Sequence, residues 1–203
     1  MESILNYLFA IIEPFIEQYG LLGVFIGMTI ESACIPLPSE VVLPFTGYLV
    51  WLGKMSLFEA VMASTLGNLA GSLIAYAVGY WGGSPFILKY GKYIHISPNR
   101  LRRTEYWFNR YGEYMIFISR LLPGIRTFIS LPAGICRMNL LRFIIFTTLG
   151  SFPWNFAFVY GGMKLGEHWE DILPIFHKLD YVSLLVIALL ILLIIKKWYK
   201  KES

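Results

Sequence analysis

The sequence is poor in charge, in cysteine and in metal-ligand motifs, and each shortage excludes a class of protein. Only 15% of its 203 residues are charged, whereas soluble domains average about 25%. Because 57% of the residues are hydrophobic, we expect a polytopic membrane protein with one compact membrane domain. Cys34 and Cys136 lie in apolar surroundings outside any CxxC spacing, so the sequence predicts neither a disulfide framework nor a metal site.

The N-terminus also lacks the basic start and the small-residue cleavage site of a secretory signal peptide. We therefore expect residues 1–19 to form an amphipathic or short membrane helix of the mature chain. The net charge of +4 does not indicate nucleic-acid binding, because no solvated domain is present to carry a basic face. An enzyme is not predicted either: a membrane phosphatase needs a histidine near its phosphate site, and the three histidines lie in predicted loops or at membrane edges.

Five hydrophobic stretches fall into two kinds. A bilayer core of about 30 Å requires roughly 20 helical residues, and residues 56–81, 139–163 and 181–198 are long enough to cross it. Residues 20–51 and 112–136 are interrupted by proline, at Pro36 and Pro38 in the first stretch and at Pro123-Gly124 in the second. We expect each interrupted stretch to form two half-helices that turn back as a re-entrant hairpin.

The distribution of lysine and arginine favours re-entrant hairpins over crossing helices. If both hairpins return to the side from which they enter, the two sides carry 3 and 12 basic residues, whereas crossing helices would give 7 and 8. Cytoplasmic segments collect such residues. The re-entrant arrangement therefore places the basic 82–110 loop in the cytoplasm, together with the basic tail that follows the C-terminal transmembrane helix in 181–203.

An internal repeat supports the same organisation of the predicted transport domain, 20–180. Residues 54–68, KMSLFEAVMASTLGN, align without a gap with 137–151, RMNLLRFIIFTTLGS. Upstream, Tyr19-Gly20 pairs with Tyr111-Gly112, and LPFTG at 43–47 pairs with LPAG at 131–134. The predicted fold class is an all-α polytopic membrane protein with two opposed re-entrant helical hairpins in inverted repeats, plus about three full transmembrane helices. Secondary transporters with this architecture bind substrate near the midplane, where broken helices meet.

Both predicted breaks carry charge, which costs about 2.5–3.5 kcal/mol per residue at the bilayer centre. Glu31 and Glu40 flank the first break, and Arg120 and Arg126 flank the second. Three interpretations remain open: structural neutralisation of two guanidiniums by two carboxylates, an anion carrier whose arginines bind phosphate while its carboxylates take up a proton, and an antiporter using only the carboxylates. The antiporter leaves the arginines unexplained. Three further polar residues are secondary candidates: Asn68, Ser119 and Asn155.

These motifs resemble the DedA family, which is related to the eukaryotic VTT-domain lipid scramblases. The similarity lies in Glu31 with PLPSE at 36–40, in GNLAGSLIAYAVG at 67–79 and in FISRLLPGIRTFISLPAG at 117–134. The resemblance implies two opposed re-entrant hairpins and transport of lipid phosphates across the bacterial plasma membrane. Within the family, the size and motifs are similar to those of undecaprenyl-phosphate transporters, which return the carrier lipid of cell-wall synthesis to the cytoplasmic leaflet.

By this resemblance, Arg120 and Arg126 bind the headgroup, and Glu31 and Glu40 have proton-linked roles. We therefore expect a non-enzymatic flippase of a polyprenyl phosphate in the bacterial inner membrane, coupled to the proton motive force. Its expected partners are the lipid and the membrane, without cofactor, metal or nucleic acid. A phospholipid flippase or scramblase of the phosphatidylethanolamine type and a non-transporting assembly factor remain the alternatives. The sequence leaves the oligomeric state open.

Overall fold

The structure, a computed structural model, describes residues 4–35, 39–83, 98–122 and 125–168, and these ranges are helical apart from short turns. The elements in chain order are α1 (Ile4–Tyr19), α2 (Leu21–Ser32), α3 (Ser39–Trp51), α4 (Leu57–Val78) continued by a π-helical turn (Gly79–Gly83), α5 (Pro98–Arg120), α6 (Ile125–Phe128), α7 (Ser130–Ile135), α8 (Leu140–Lys164) and a 3-10 turn (Gly166–His168). The all-helical class is confirmed for these ranges. Several predicted features lie outside the described residues: the 181–198 helix, the basic tail, Pro36, Pro38, Pro123 and Gly124.

Two of the described helices are long and apolar enough to cross a membrane. They comprise 57–83, with 27 residues, and α8, with 25 residues, and they match the predicted spans 56–81 and 139–163. Both begin at a polar cap: the Ser56 side chain accepts a hydrogen bond from the backbone of Glu59, and the Asn139 side chain accepts one from the backbone of Arg142. Such caps satisfy amide groups that a helix start leaves unpaired.

Both interrupted stretches are divided into separate helices at the predicted breaks, although the second contains three helices rather than two. In the first, α2 ends at Ser32 and α3 begins at Ser39; in the second, α5 ends at Arg120 and α6 begins at Ile125. Residues 98–110, predicted as part of a loop, are instead helical, because α5 begins at Pro98 and continues without interruption to Arg120. The second break coincides with the segment that contains Pro123-Gly124, which is expected because proline removes a backbone donor.

In each broken stretch, the helix before the break (α2 or α5) forms the first arm, and the helices after it (α3, or α6 and α7) form the second arm. The long helix of each repeat makes an equivalent contact with the first arm of its own broken stretch. Gly67 of α4 lies against the backbone of Phe25 on α2, and Gly150 of α8 lies against the backbone of Phe117 on α5. Gly67 aligns with Gly150, and Phe25 aligns with Phe117 in the register set by the Tyr-Gly pairs. The absence of a side chain at each glycine allows this close approach of two backbones.

The second arms are exchanged between the repeats. Gly162 of α8 lies against the backbone of Pro44 on α3, whereas Gly79, its equivalent at the end of α4, lies against the backbone of Leu131 on α7. Each long helix thus packs on the first arm of its own repeat and on the second arm of the other repeat, and α4 also packs on α8. This reciprocal exchange is expected of two copies related by an approximate twofold axis, and residues beside the two helix breaks contact each other.

A matched pair of glycine variants tests the packing of α3 on α8. Gly162→Ala is expected to destabilise the protein by roughly 1–3 kcal/mol, because the added Cβ overlaps the carbonyl group of Pro44. In Gly161→Ala the added Cβ meets no atom within 4 Å, and alanine is favoured over glycine in a helix by about 1 kcal/mol. Thermal unfolding in detergent compares the two, and equal transition temperatures would contradict this close contact.

Candidate functional site

The four predicted charges occupy unequal environments around the helix breaks. Glu31 in the last turn of α2, Arg120 at the end of α5 and Arg126 in α6 are 3%, 1% and 4% exposed, respectively. Glu40, in the first turn of α3, is half-buried and accepts a hydrogen bond from the Ser39 hydroxyl at 3.3 Å. The fold therefore buries three of the four charges and leaves one at the margin of the site.

Glu31 and Arg126 form a buried ion pair that joins the two broken stretches. Glu31 Oε1 lies 3.1 Å from Arg126 Nη2. The other carboxylate oxygen accepts hydrogen bonds from Ser32 Oγ and Asn68 Nδ2, both at 3.1 Å. On its other side, the Arg126 guanidinium lies over the Trp154 ring, with Cζ 5.0 Å from the ring centroid. All of the hydrogen bonds described for Glu31 are donated to its carboxylate oxygens, and one of them comes from the charged guanidinium of Arg126.

Arg120 has a different environment, in which its contacts are hydroxyl groups. Its Nη2 donates to Ser72 Oγ at 2.6 Å and to Ser130 Oγ at 2.9 Å. Its Nε is buried and has no hydrogen-bond partner among the described residues. Within the same residues, Arg120 makes no ion pair with a carboxylate. A buried charge without an opposite charge is costly. Arg120 is therefore the strongest candidate for anion binding in the described part of the chain.

The repeat shows that packing alone does not require a charge at this position. Met28 of α2 is the equivalent of Arg120, and its side chain packs against Gly67 as that of Arg120 packs against Gly150. Met28 is fully buried. An apolar side chain thus fills the place in the first repeat that the guanidinium fills in the second, which points to a functional reason for Arg120.

A chain of side-chain amides connects α8 to the ion pair. Asn155 Nδ2 donates to Asn68 Oδ1 at 2.8 Å and to Thr65 Oγ1 at 3.1 Å. Asn68 in turn donates to Glu31 and also to Ser32 Oγ, at 2.7 Å. Two of the three secondary candidates, Asn68 and Asn155, therefore belong to the buried network. Ser119, the third, is half-buried beside Arg120, and no side-chain contact to this network is described for it.

Sequence reasoning missed the small polar residues that surround these charges. They include Ser32, Thr65, Ser72 and Ser130. A signal was present for some of them, because polar residues recur every three or four positions along one face of each long helix. On α4 these are Thr65, Asn68 and Ser72, and on α8 they are Thr147, Ser151 and Asn155. Nothing in the local sequence singles out Ser130 or Trp154.

The VTT domain model matches residues 37–164 of this chain. That range contains both long helices, the complete second broken stretch and three of the four charges. The chain belongs to the VTT-domain, or DedA, family. The resemblance noted in the sequence is thereby confirmed, because the domain model covers more than half of this DedA-family protein.

Three of the similar relatives carry names that suggest a function. Undecaprenyl phosphate transporter A of Bacillus subtilis is 36% identical over 184 residues, which cover 90% of this chain and 91% of the relative. The Staphylococcus aureus protein of the same name is 28% identical over 186 residues, with coverage of 90% and 92%. An alkaline phosphatase-like protein of Lactococcus lactis is 34% identical over 197 residues, with coverage of 95% and 92%. No solved structure gives a significant match.

A double-mutant cycle tests which arginine is the partner of Glu31. The coupling free energy between Glu31→Gln and Arg126→Gln is expected to be about 1–3 kcal/mol, because the two side chains are in direct contact. The matched cycle of Glu31→Gln with Arg120→Gln should give a smaller value, since Arg120 bonds to serines. Both energies come from unfolding in detergent. A larger coupling in the Arg120 cycle would contradict the pairing described above.

Proposed function

We propose that this DedA-family protein carries a polyprenyl phosphate, namely undecaprenyl phosphate, between the leaflets of the bacterial plasma membrane and so recycles it for cell-wall synthesis. The observation that carries the proposal is the buried guanidinium of Arg120, which contacts only hydroxyl groups among the described residues and retains an unpartnered Nε. Arginine remains charged and presents donors in a geometry suited to phosphate. Two relatives named undecaprenyl phosphate transporter A, at 36% and 28% identity, support this substrate.

The proposal includes two re-entrant hairpins that insert from opposite membrane faces and meet near the midplane. The 12 residues of α2 extend only about 18 Å, which is less than the roughly 30 Å of the hydrocarbon core. The breaks also contact each other, through the Glu31–Arg126 pair and through the Cys34 thiol, which donates to the carbonyl of Thr127 at 3.3 Å. The positive-inside rule favours a cytoplasmic position for the basic segment between α4 and α5.

Transport then depends on exchanging partners around the arginines. The headgroup phosphate binds Arg120 first, because this guanidinium has no carboxylate contact among the described side chains. The phosphate then replaces Glu31 at Arg126. A buried carboxylate that loses its ionic partner is unfavourable unless it binds a proton. Proton uptake by Glu31, with the half-exposed Glu40 nearer the margin, would couple transport to the proton motive force, while the polyprenyl tail stays in the surrounding lipid.

Phosphatase chemistry is the second candidate, suggested by the name of the Lactococcus lactis relative. A phosphatase of this kind requires a nucleophile or an acid-base histidine beside the phosphate-binding arginine. His168 is the only histidine in the described ranges, and it lies in the 3-10 turn beyond the end of α8. Arg120 instead contacts Ser72 and Ser130, neither of which is bonded to a histidine there. The site therefore favours binding and release of phosphate without chemistry.

Arg120→Met tests the proposal directly. The variant is expected to fold, because Met28 fills the equivalent position of the first repeat, but to transport undecaprenyl phosphate at least about 10-fold more slowly, since hydrogen bonds to a charged group are lost. Reconstituted vesicles with labelled lipid measure transport, and unfolding temperature measures the fold. Arg110→Met, which removes an exposed charge from the same helix, is the control.

Each result of this experiment has a defined meaning. Normal transport by Arg120→Met refutes the proposed site. Failure of that variant to fold would place Arg120 among purely structural charges, as in an assembly factor. If the unmodified protein transports labelled phosphatidylethanolamine as well as undecaprenyl phosphate, the phospholipid flippase replaces the polyprenyl-phosphate carrier.

Cysteine labelling tests the re-entrant topology. In a cysteine-free background, Tyr19→Cys and Leu52→Cys mark the two ends of the first hairpin, while Tyr111→Cys and Leu140→Cys mark those of the second. All four native side chains are exposed. We expect an impermeant reagent to reach both ends of one hairpin from the same side, and the two hairpins from opposite sides. Labelling of the two ends of either hairpin from different sides would indicate a crossing helix instead.

A further inference from the structure

Besides Arg120 Nε, one other buried nitrogen has no hydrogen-bond partner in the described part of the chain: the indole Nε1 of Trp154. An indole N–H donates and does not accept, and a buried one usually finds a partner. Trp154 lies on α8, and its ring is the one that faces the Arg126 guanidinium at 5.0 Å. The unpaired donor therefore belongs to a side chain that contacts the Glu31–Arg126 pair.

The repeat gives no packing reason for this indole. The equivalent of Trp154 in the first repeat is Gly71, which lies directly against the backbone of Thr29, where a Cβ would overlap the carbonyl oxygen. At the same point the second repeat introduces a large aromatic ring beside the break. Tryptophans of an interfacial belt direct their N–H groups towards water and headgroups, whereas the Trp154 N–H is buried. Trp154 packs against the buried core, and its ring centroid lies 4.6 Å from that of Phe158. This packing accounts for an aromatic side chain but leaves the indole N–H without a partner.

We propose that Trp154 is a substrate-binding residue whose indole N–H donates a hydrogen bond to the headgroup phosphate, while its ring holds the Arg126 guanidinium in place. The inference rests on the proposed function and specifies the class of substrate. A phosphate monoester presents three terminal oxygens as acceptors, whereas the phosphodiester of a phospholipid presents two. The Trp154 N–H adds a donor to those of Arg120 and Arg126, and a monoester has one more terminal oxygen than a phosphodiester to accept it. We therefore expect Trp154 to favour a phosphate monoester, the class to which undecaprenyl phosphate belongs, over a phosphodiester.

Trp154→Phe separates the two contributions of the residue, because phenylalanine keeps a ring for Arg126 and removes the N–H. The KM for undecaprenyl phosphate in reconstituted vesicles is expected to rise about 10-fold or more, the effect of losing one hydrogen bond to a charged acceptor. The maximal rate and the unfolding temperature should change little. Trp81→Phe, at an exposed position in the π-helical turn after α4, is the matched control and should leave KM unchanged.

A competition arm tests the substrate class. Phosphatidylethanolamine, added as competitor to labelled undecaprenyl phosphate, should compete poorly with the unmodified protein and more effectively with Trp154→Phe, because the third donor is lost. If both proteins distinguish the two lipids equally, the inference about the monoester is wrong.

The outcomes also separate this inference from the proposed function. An unchanged KM in Trp154→Phe, while Arg120→Met fails to transport, overturns the role of Trp154 and leaves the proposed function standing. A lower unfolding temperature with an unchanged KM means that the indole is structural, and likewise overturns it. Normal transport by Arg120→Met refutes the proposed function itself, whatever the behaviour of Trp154→Phe.

Discussion

A positive charge buried within an apolar helical protein needs compensation, and the two arginines at the second break obtain it in different ways. Arg126 contacts a carboxylate and an aromatic ring, whereas the hydrogen bonds described for the Arg120 guanidinium are donated to two serine hydroxyls. Burial of an ion without an opposite charge costs several kcal/mol. A guanidinium in this state is stabilised most by an anion that reaches it, and for this reason we assign the first contact with phosphate to Arg120.

The scaffold that maintains these charges is a pair of interlocked repeats. Glycines at equivalent positions allow backbones to touch, and each long helix packs on an arm from either repeat. The site occurs where the repeats differ. Met28 is replaced by Arg120, and Gly71 by Trp154, in otherwise equivalent surroundings. Symmetry therefore provides packing, and departures from it introduce the two groups that we propose bind phosphate.

The buried amides have a distinct role, because they tie the carboxylate to the other long helix. Asn155 donates to Asn68, and Asn68 donates to Glu31. A change in the charge or position of Glu31 must therefore alter hydrogen bonds on α4 and α8 as well. Such a connected polar network has a large cost when only partly satisfied, so the state of Glu31 affects the contacts between both repeats.

The sequence alone determined the helical membrane class, the two long helices, the positions of the breaks and the four charges around them. These follow from local properties: length of apolar runs, proline chemistry and net charge. Only the tertiary structure decided that Glu31 pairs with Arg126, 95 positions away, while Arg120 bonds to Ser72, 48 positions away. The reason is physical: the partner of a buried charge depends on distances of a few ångströms between helices, which their packing sets and no local pattern records.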